Sequence, residues 1–129
     1  MLFYFYVALG GALGSVARFG ISELMMRWLG ADFPWGTLVV NVVGSFVIGY
    51  FAAGAIAWDL PPQSRGFFMV GVCGGFTTFS SFSLQTFHLV RDGHGVAAGV
   101  NVLLSMLLCF LAVWLGHWLA VSWHGPKGS

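Results

Sequence analysis

The chain has 129 residues, 58% of them hydrophobic and 7% charged, with mean hydropathy +0.88. Soluble domains carry about 25% charged residues, so five basic and four acidic side chains cannot cover a water-facing surface, and a soluble enzyme and a disordered chain are both excluded. A formal net charge of +1 gives no basic footprint for nucleic acid, which leaves one small membrane domain with the lipid bilayer around it.

A helical span needs about 20 predominantly apolar residues. Four segments meet this, at roughly 2–28, 35–58, 65–89 and 95–123. The first has no basic flank, and its apolar pattern runs on to Trp28, too far for a cleaved signal. The breaks at 30–34, 59–64 and 91–95 carry Gly, Asp and Pro turn chemistry. Asp59 and Pro61 close the second helix, and Ser64 is placed to cap the third. Trp28, Trp35, Trp58, Trp118 and Trp123 fall near span ends, as an interfacial belt would. The predicted fold is an all-α membrane protein with four transmembrane helices, one domain over 1–124 and a polar tail over 125–129.

Small residues recur four apart at Gly10/Gly14, Gly11/Ser15, Ser45/Gly49, Gly71/Gly75 and Gly95/Gly99, a pattern of close helix packing. With the N-terminus on one side, that side holds Arg65 and Lys127 and the other holds Arg27 and Arg91. Such a balance sets no preferred orientation. It predicts insertion both ways and an antiparallel dimer, which a chain too short to enclose a wide pore also needs.

Polar residues inside spans form stripes. Thr37, Asn41 and Ser45 share one face of the second helix; Asn101, Ser105 and Cys109 share one face of the fourth. Each stripe serves either interhelical hydrogen bonding or a narrow anion path. Arg18 lies within the first span, as a local anchor or a vestibule charge. In the third span, Gly74-Gly75 followed by Thr77-Thr78 weakens the helix at mid-membrane. A broken helix frees carbonyls that an ion can satisfy, a monovalent cation such as sodium among them. Phe79 and Phe82 then stand three apart, with Ser80 and Ser83 on a neighbouring face; ring edges and hydroxyls suit a small hard anion. His88, His94, His117 and His124 form no tight pair, and Cys73 and Cys109 have no metal spacing. Hydrolytic and phosphate-binding motifs are absent from the sequence.

Three stretches carry a resemblance: GGALGSVARF at 10–19, WGTLVVNVVGSFVIGY at 35–50 and GVCGGFTTFSSFS at 71–83. In this order, with four spans, the chain resembles the Fluc (CrcB-type) fluoride channels over nearly its whole length. The resemblance implies an antiparallel, dual-topology homodimer that passively exports fluoride across the cell membrane, the inner membrane in a Gram-negative bacterium. It implies Phe79 and Phe82 as pore phenylalanines, Asn41 orienting or contacting the anion, Arg18 facing a vestibule, and Ser80 and Ser83 on the polar track. It further implies a structural sodium on the dimer axis, held by carbonyls of Gly74 and Thr77 from both subunits. Some members pair with a non-identical paralogue, so a heterodimer is a second possible assembly. Gln85 stands where many members have Glu, and Cys109 where a Thr is common. Two other classes share the frame: a proton-coupled drug exporter, whose required in-span carboxylate would be Glu23, and a non-transporting membrane subunit.

Overall fold

The computed structural model describes residues 2–124, with the side chain of His124 outside the described set. The polar tail 125–129, and Lys127 with it, likewise lies outside the described residues.

Apolar runs unbroken by proline make long helices, and turn residues end them. Helix α1 spans Leu2–Leu29, α2 Trp35–Ala57 and α6 Gly95–His124. Between α2 and α6 lie α3 at Pro62–Arg65, a π-helical stretch at Gly66–Cys73, α4 at Gly74–Phe76 and α5 at Phe79–Arg91. Four stretches are long and apolar enough to cross a membrane: Leu2–Leu29, Trp35–Ala57, Pro62–Arg91 and Gly95–Trp123. At 1.5 Å per residue, even the 23 residues of α2 reach about 35 Å, beyond the ~30 Å hydrocarbon core. The chain is a multi-pass, all-helical membrane protein.

The helix stops follow backbone rules. Asp59 takes a left-handed φ of 51° after α2, and Gly93 takes 86° after α5. At both places two amides fold back. Asp59 N–H donates to the Ile56 carbonyl and Leu60 N–H to that of Ala55; Gly93 N–H donates to that of Val90 and His94 N–H to that of Leu89. This double closure satisfies carbonyls that the helix end leaves open. Ser64 does not cap the third span. Pro61 is extended and Pro62 opens the helix, because a proline there loses no useful N–H and already has helical φ. Ser64 therefore falls inside the first turn.

Two helix pairs approach backbone to backbone. Gly10 and Gly14 of α1 face the carbonyls of Phe67 and Val72; Gly71 and Gly75 return the contact, an added Cβ at Gly75 standing 2.6 Å from the Gly11 carbonyl oxygen. Gly49 of α2 faces the Val113 carbonyl, and Gly116 of α6 faces that of Phe46. Helices α2 and α6 share the most extensive contact, followed by α1 with the π-helical stretch. Gly95 and Gly99 instead face open space. Small side chains (Ala55, Ala98, Ala112, Ala120) make up much of the buried core, while large ones such as Phe19, Leu103, Phe110 and Trp114 point outward, as a lipid surrounding allows.

Gly14→Ala is expected to lower stability by about 1–3 kcal/mol, since its methyl would drive into the Val72 carbonyl. Gly20→Ala meets nothing and should raise stability by about 0.5–1 kcal/mol. Unfolding in detergent followed by tryptophan fluorescence measures both. Equal effects of the two would refute the close approach.

Candidate functional site

Gly74 and Gly75 remain helical; the extended residues are Thr77, with ψ 158°, and Thr78, with φ −153° and ψ 121°. The polar groups of Thr78 and the Gly75 carbonyl can each be followed to a partner. Asn41 of α2 meets Thr78 in both directions: its Nδ2 donates to the Thr78 carbonyl at 3.0 Å, and its Oδ1 accepts from Thr78 N–H at 2.7 Å. A side-chain amide thus stands in for a neighbouring backbone. Thr78 Oγ1 then accepts from Ser81 N–H at 3.1 Å, the N-cap of α5. On the other flank, Arg18 Nε donates to the Gly75 carbonyl at 3.0 Å. That carbonyl ends a helical stretch, where a cation is favoured by the helix dipole.

The rerouting affects several carbonyls at the interruption, those of Gly74 and Thr77 among them. The fourth residue after Gly74 is Thr78, whose N–H goes to Asn41; the fourth after Thr77 is Ser81, whose N–H goes to Thr78 Oγ1. Gly74 and Thr77 therefore both lose the helical donor that a continuous helix would give them. Gly74 is exposed, and a Cβ added to it meets nothing within 4 Å. Carbonyls freed in this way fit the donor set of a monovalent cation.

A groove of about 450 Å³ opens beside the interruption. Asn41 and Ser45 of α2, Ser105 and Cys109 of α6, and Phe79 and Phe82 of α5 all line it, with Gly74 and Thr77 at its edge. The two polar stripes thus converge on the phenylalanine pair. The Phe79 and Phe82 rings lie 5.5 Å apart and tilted 48°. Phe82 is 7% exposed and Phe79 71% exposed, so one ring belongs to the protomer core and the other projects from it. Asn41 keeps one Nδ2 hydrogen beyond its bond to Thr78.

A second cavity, of about 720 Å³, opens at one end of the bundle. Ser22, Thr37, Gln85 and His88 are among its walls. Thr37 is one helical turn from Asn41, and Gln85 one turn from Phe82, so cavity and groove are neighbours along the bundle. Gln85 Oε1 is buried there without a hydrogen-bond partner. Neither the cavity nor the groove is lined by Glu23, which is exposed on α1.

Among the residues singled out in the sequence, Asn41, Phe79, Phe82, Gly74 and Thr77 come together. Arg18 does not line the groove; its Nε holds the Gly75 carbonyl instead. Ser80 and Ser83 are exposed on the protomer, with Ser83 Oγ donating to the Phe79 carbonyl at 2.9 Å and Ser80 Oγ 3.4 Å from Thr78 Oγ1. Ser45, Ser105 and Cys109 belong to the groove more directly than either serine of α5. Their signal was the four-residue spacing that repeats on the second and fourth spans. Asn101, from the same stripe, lies behind the groove wall and bonds Thr86.

Comparison with known proteins agrees with this architecture. Residues 5–117 match the family described as CrcB-like protein, Camphor Resistance (CrcB). The chain is 58% identical to a protein from Opitutus terrae named fluoride-specific ion channel FluC, with all of both chains covered. It is 54% identical to a protein of the same name from Rhodospirillum rubrum, over 88% of this chain and 91% of that one. A third of that name, from Methylocella silvestris, is 49% identical over 98% of each. With the match running from the first helix into the last, the chain belongs to the CrcB-like family.

Proposed function

We propose that this protein is a fluoride-specific channel that lets fluoride leave the cytoplasm passively and so lowers its concentration there. It is a conduit rather than an enzyme, and it sits in the cell membrane, the inner one where there are two. The observation that carries this reading is the groove in which amide and hydroxyl groups from α2 and α6 face the α5 phenylalanines with no acidic side chain on its walls. Fluoride is small and strongly hydrated, so its path must replace water with closely spaced donors. The free Asn41 hydrogen, the Ser105 hydroxyl and the positive ring edges of Phe79 and Phe82 offer them. The larger chloride fits such a narrow donor set poorly. A proton-coupled exporter would need a carboxylate within the spans on the route; Glu23 lies off it, and Asp32 and Asp92, which line the end cavity, belong to the turns between helices.

The working unit in this reading is an antiparallel, dual-topology homodimer, with the helix interruption at mid-membrane. Exposed Phe79 and open Gly74 support it, because a partner can cover the first and approach the second. Ser80 and Ser83 would meet the route in the space the partner closes. Arg18 would lend positive charge near the interruption, through the guanidinium nitrogens its Gly75 bond leaves over. Sodium fits the carbonyls of Gly74 and Thr77 from two subunits, where it would tie the interruptions together as a structural ion. A heterodimer with a paralogue would use the same surfaces.

Protein purified into liposomes should release fluoride and retain chloride, read with ion-selective electrodes; silence toward fluoride would reject the function. Phe82→Ile should lower fluoride flux by up to about tenfold, the equivalent of the roughly 0.5–1.5 kcal/mol an aromatic contact supplies. Unchanged flux would return Phe82 to a packing role. Gly74→Val should leave the protomer folded but convert dimer to monomer in detergent, because its side chain meets only the proposed partner. Gly75→Val should damage the protomer itself. A Gly74→Val dimer of normal stability would refute the axial approach.

A further inference from the structure

Asn101 is 1% exposed and its side chain does not line the groove. A buried amide is costly unless its hydrogen bonds are made, and its partners here connect two groove residues. Asn101 Nδ2 donates to Thr86 Oγ1 at 3.0 Å, and Thr86 Oγ1 donates to the Phe82 carbonyl at 2.7 Å. Ser105 Oγ donates to Asn101 Oδ1 at 3.5 Å. The direction of this chain is fixed from its far end. The Phe82 carbonyl can only accept, so Thr86 commits its one hydrogen there and must accept from Asn101. That sets the amide with Oδ1 toward Ser105, whose one hydrogen then points away from the groove.

We propose that Asn101 is a positioning residue for permeation: through Thr86 it fixes Phe82, and through Oδ1 it holds the Ser105 hydrogen until an anion in the groove takes it. The two tasks differ in strength, as the distances require. The Thr86 bonds are of ordinary length and clamp α5 to α6 where the two helices otherwise touch sparingly. The 3.5 Å bond from Ser105 is long against the usual 2.7–2.8 Å for a hydroxyl donor, so a rotation of the hydroxyl breaks it at small cost. A fluoride ion arriving between Asn41 and Ser105 offers the hydroxyl a better acceptor than an amide oxygen. When the ion leaves, Asn101 Oδ1 takes the hydrogen back, and the buried amide is never stranded without a partner for long.

The inference rests on the channel reading, and its test separates the two. Wild type, Asn101→Leu, Thr86→Val and Thr86→Ser are compared in the same liposomes for initial fluoride flux, and in detergent for dimer content. Thr86→Val and Asn101→Leu should each cut flux about tenfold, as misplacement of a contact residue by a fraction of an ångström does, with the dimer retained. The double variant should be no worse than the lower single, since both act on one chain of bonds. Thr86→Ser keeps the hydroxyl and should recover at least half the flux, a rescue that loss of bulk packing would not show. Normal flux in Thr86→Val, or losses that multiply in the double variant, would overturn the proposal. If Asn101→Leu fails to assemble, the contrast between Thr86→Val and Thr86→Ser decides alone. Should the wild type itself carry no fluoride, the channel reading fails; the position of the Phe82 ring in a structure of Thr86→Val then decides the present inference, an unmoved ring rejecting it.

Discussion

Taking two residues out of a helix inside a membrane strands backbone groups that have no water to turn to, each at a cost of several kcal/mol. At Thr77–Thr78 the Asn41 amide answers for both polar groups of Thr78, giving an N–H and a C=O in the arrangement a second backbone would offer. No other neutral side chain except glutamine has both groups in one plane. The remaining features of the site follow from that pairing. It diverts the donor of Gly74, it orients one spare Asn41 hydrogen, and it fixes where α5 restarts and therefore where Phe79 and Phe82 stand.

Such a pairing is only as well placed as the helix that carries Asn41. Helix α2 is held against α6 by contacts at Gly49 and Gly116 that leave no room for a side chain. The first half of the third span is held against α1 in the same way at Gly10, Gly14, Gly71 and Gly75. Arg18 adds a directed bond from α1 to the Gly75 carbonyl. The interruption is thus gripped from both sides by backbones in direct contact, which have little freedom to slide. Glycine serves here through closeness rather than through flexibility: Gly74 and Gly75 are helical, and the extended residues beside them are threonines.

Hydropathy located the four spans to within a few residues, because twenty consecutive apolar side chains have few other uses. The four-residue spacing of polar groups marked the faces of α2 and α6 that line one groove. What the spacing could not say was which members of a stripe reach the groove. Asn101 and Ser105 are one turn apart, yet one lies behind the wall and the other on it. Helix crossing decides that, and crossing depends on contacts between distant residues. Ser64 misled for a local reason: two prolines before it start the helix earlier. Ser80 and Ser83 are exposed on the single chain, and local spacing says nothing of what would cover them. Nor does any local pattern link Arg18 to Gly75, 57 residues away.

One interruption creates two opposite electrostatic ends within a few residues. The stretch ending at Phe76 presents carbonyls, the negative end of a helix; α5 begins at Phe79 and presents its N–H groups, the positive end. In a continuous helix these charges cancel along the axis. Here they are separated, and the side chains around them sort by sign. The carbonyls of Gly74 and Thr77 are among those that lose their helical donors, and a donor or a cation can satisfy them. The start of α5 faces a groove furnished with Asn41, Ser105 and ring edges and with no carboxylate. An electronegative and an electropositive region therefore need no charged residue of their own. In the proposed channel, that is how a chain with nine formal charges among 129 residues would handle fluoride and sodium inside a bilayer.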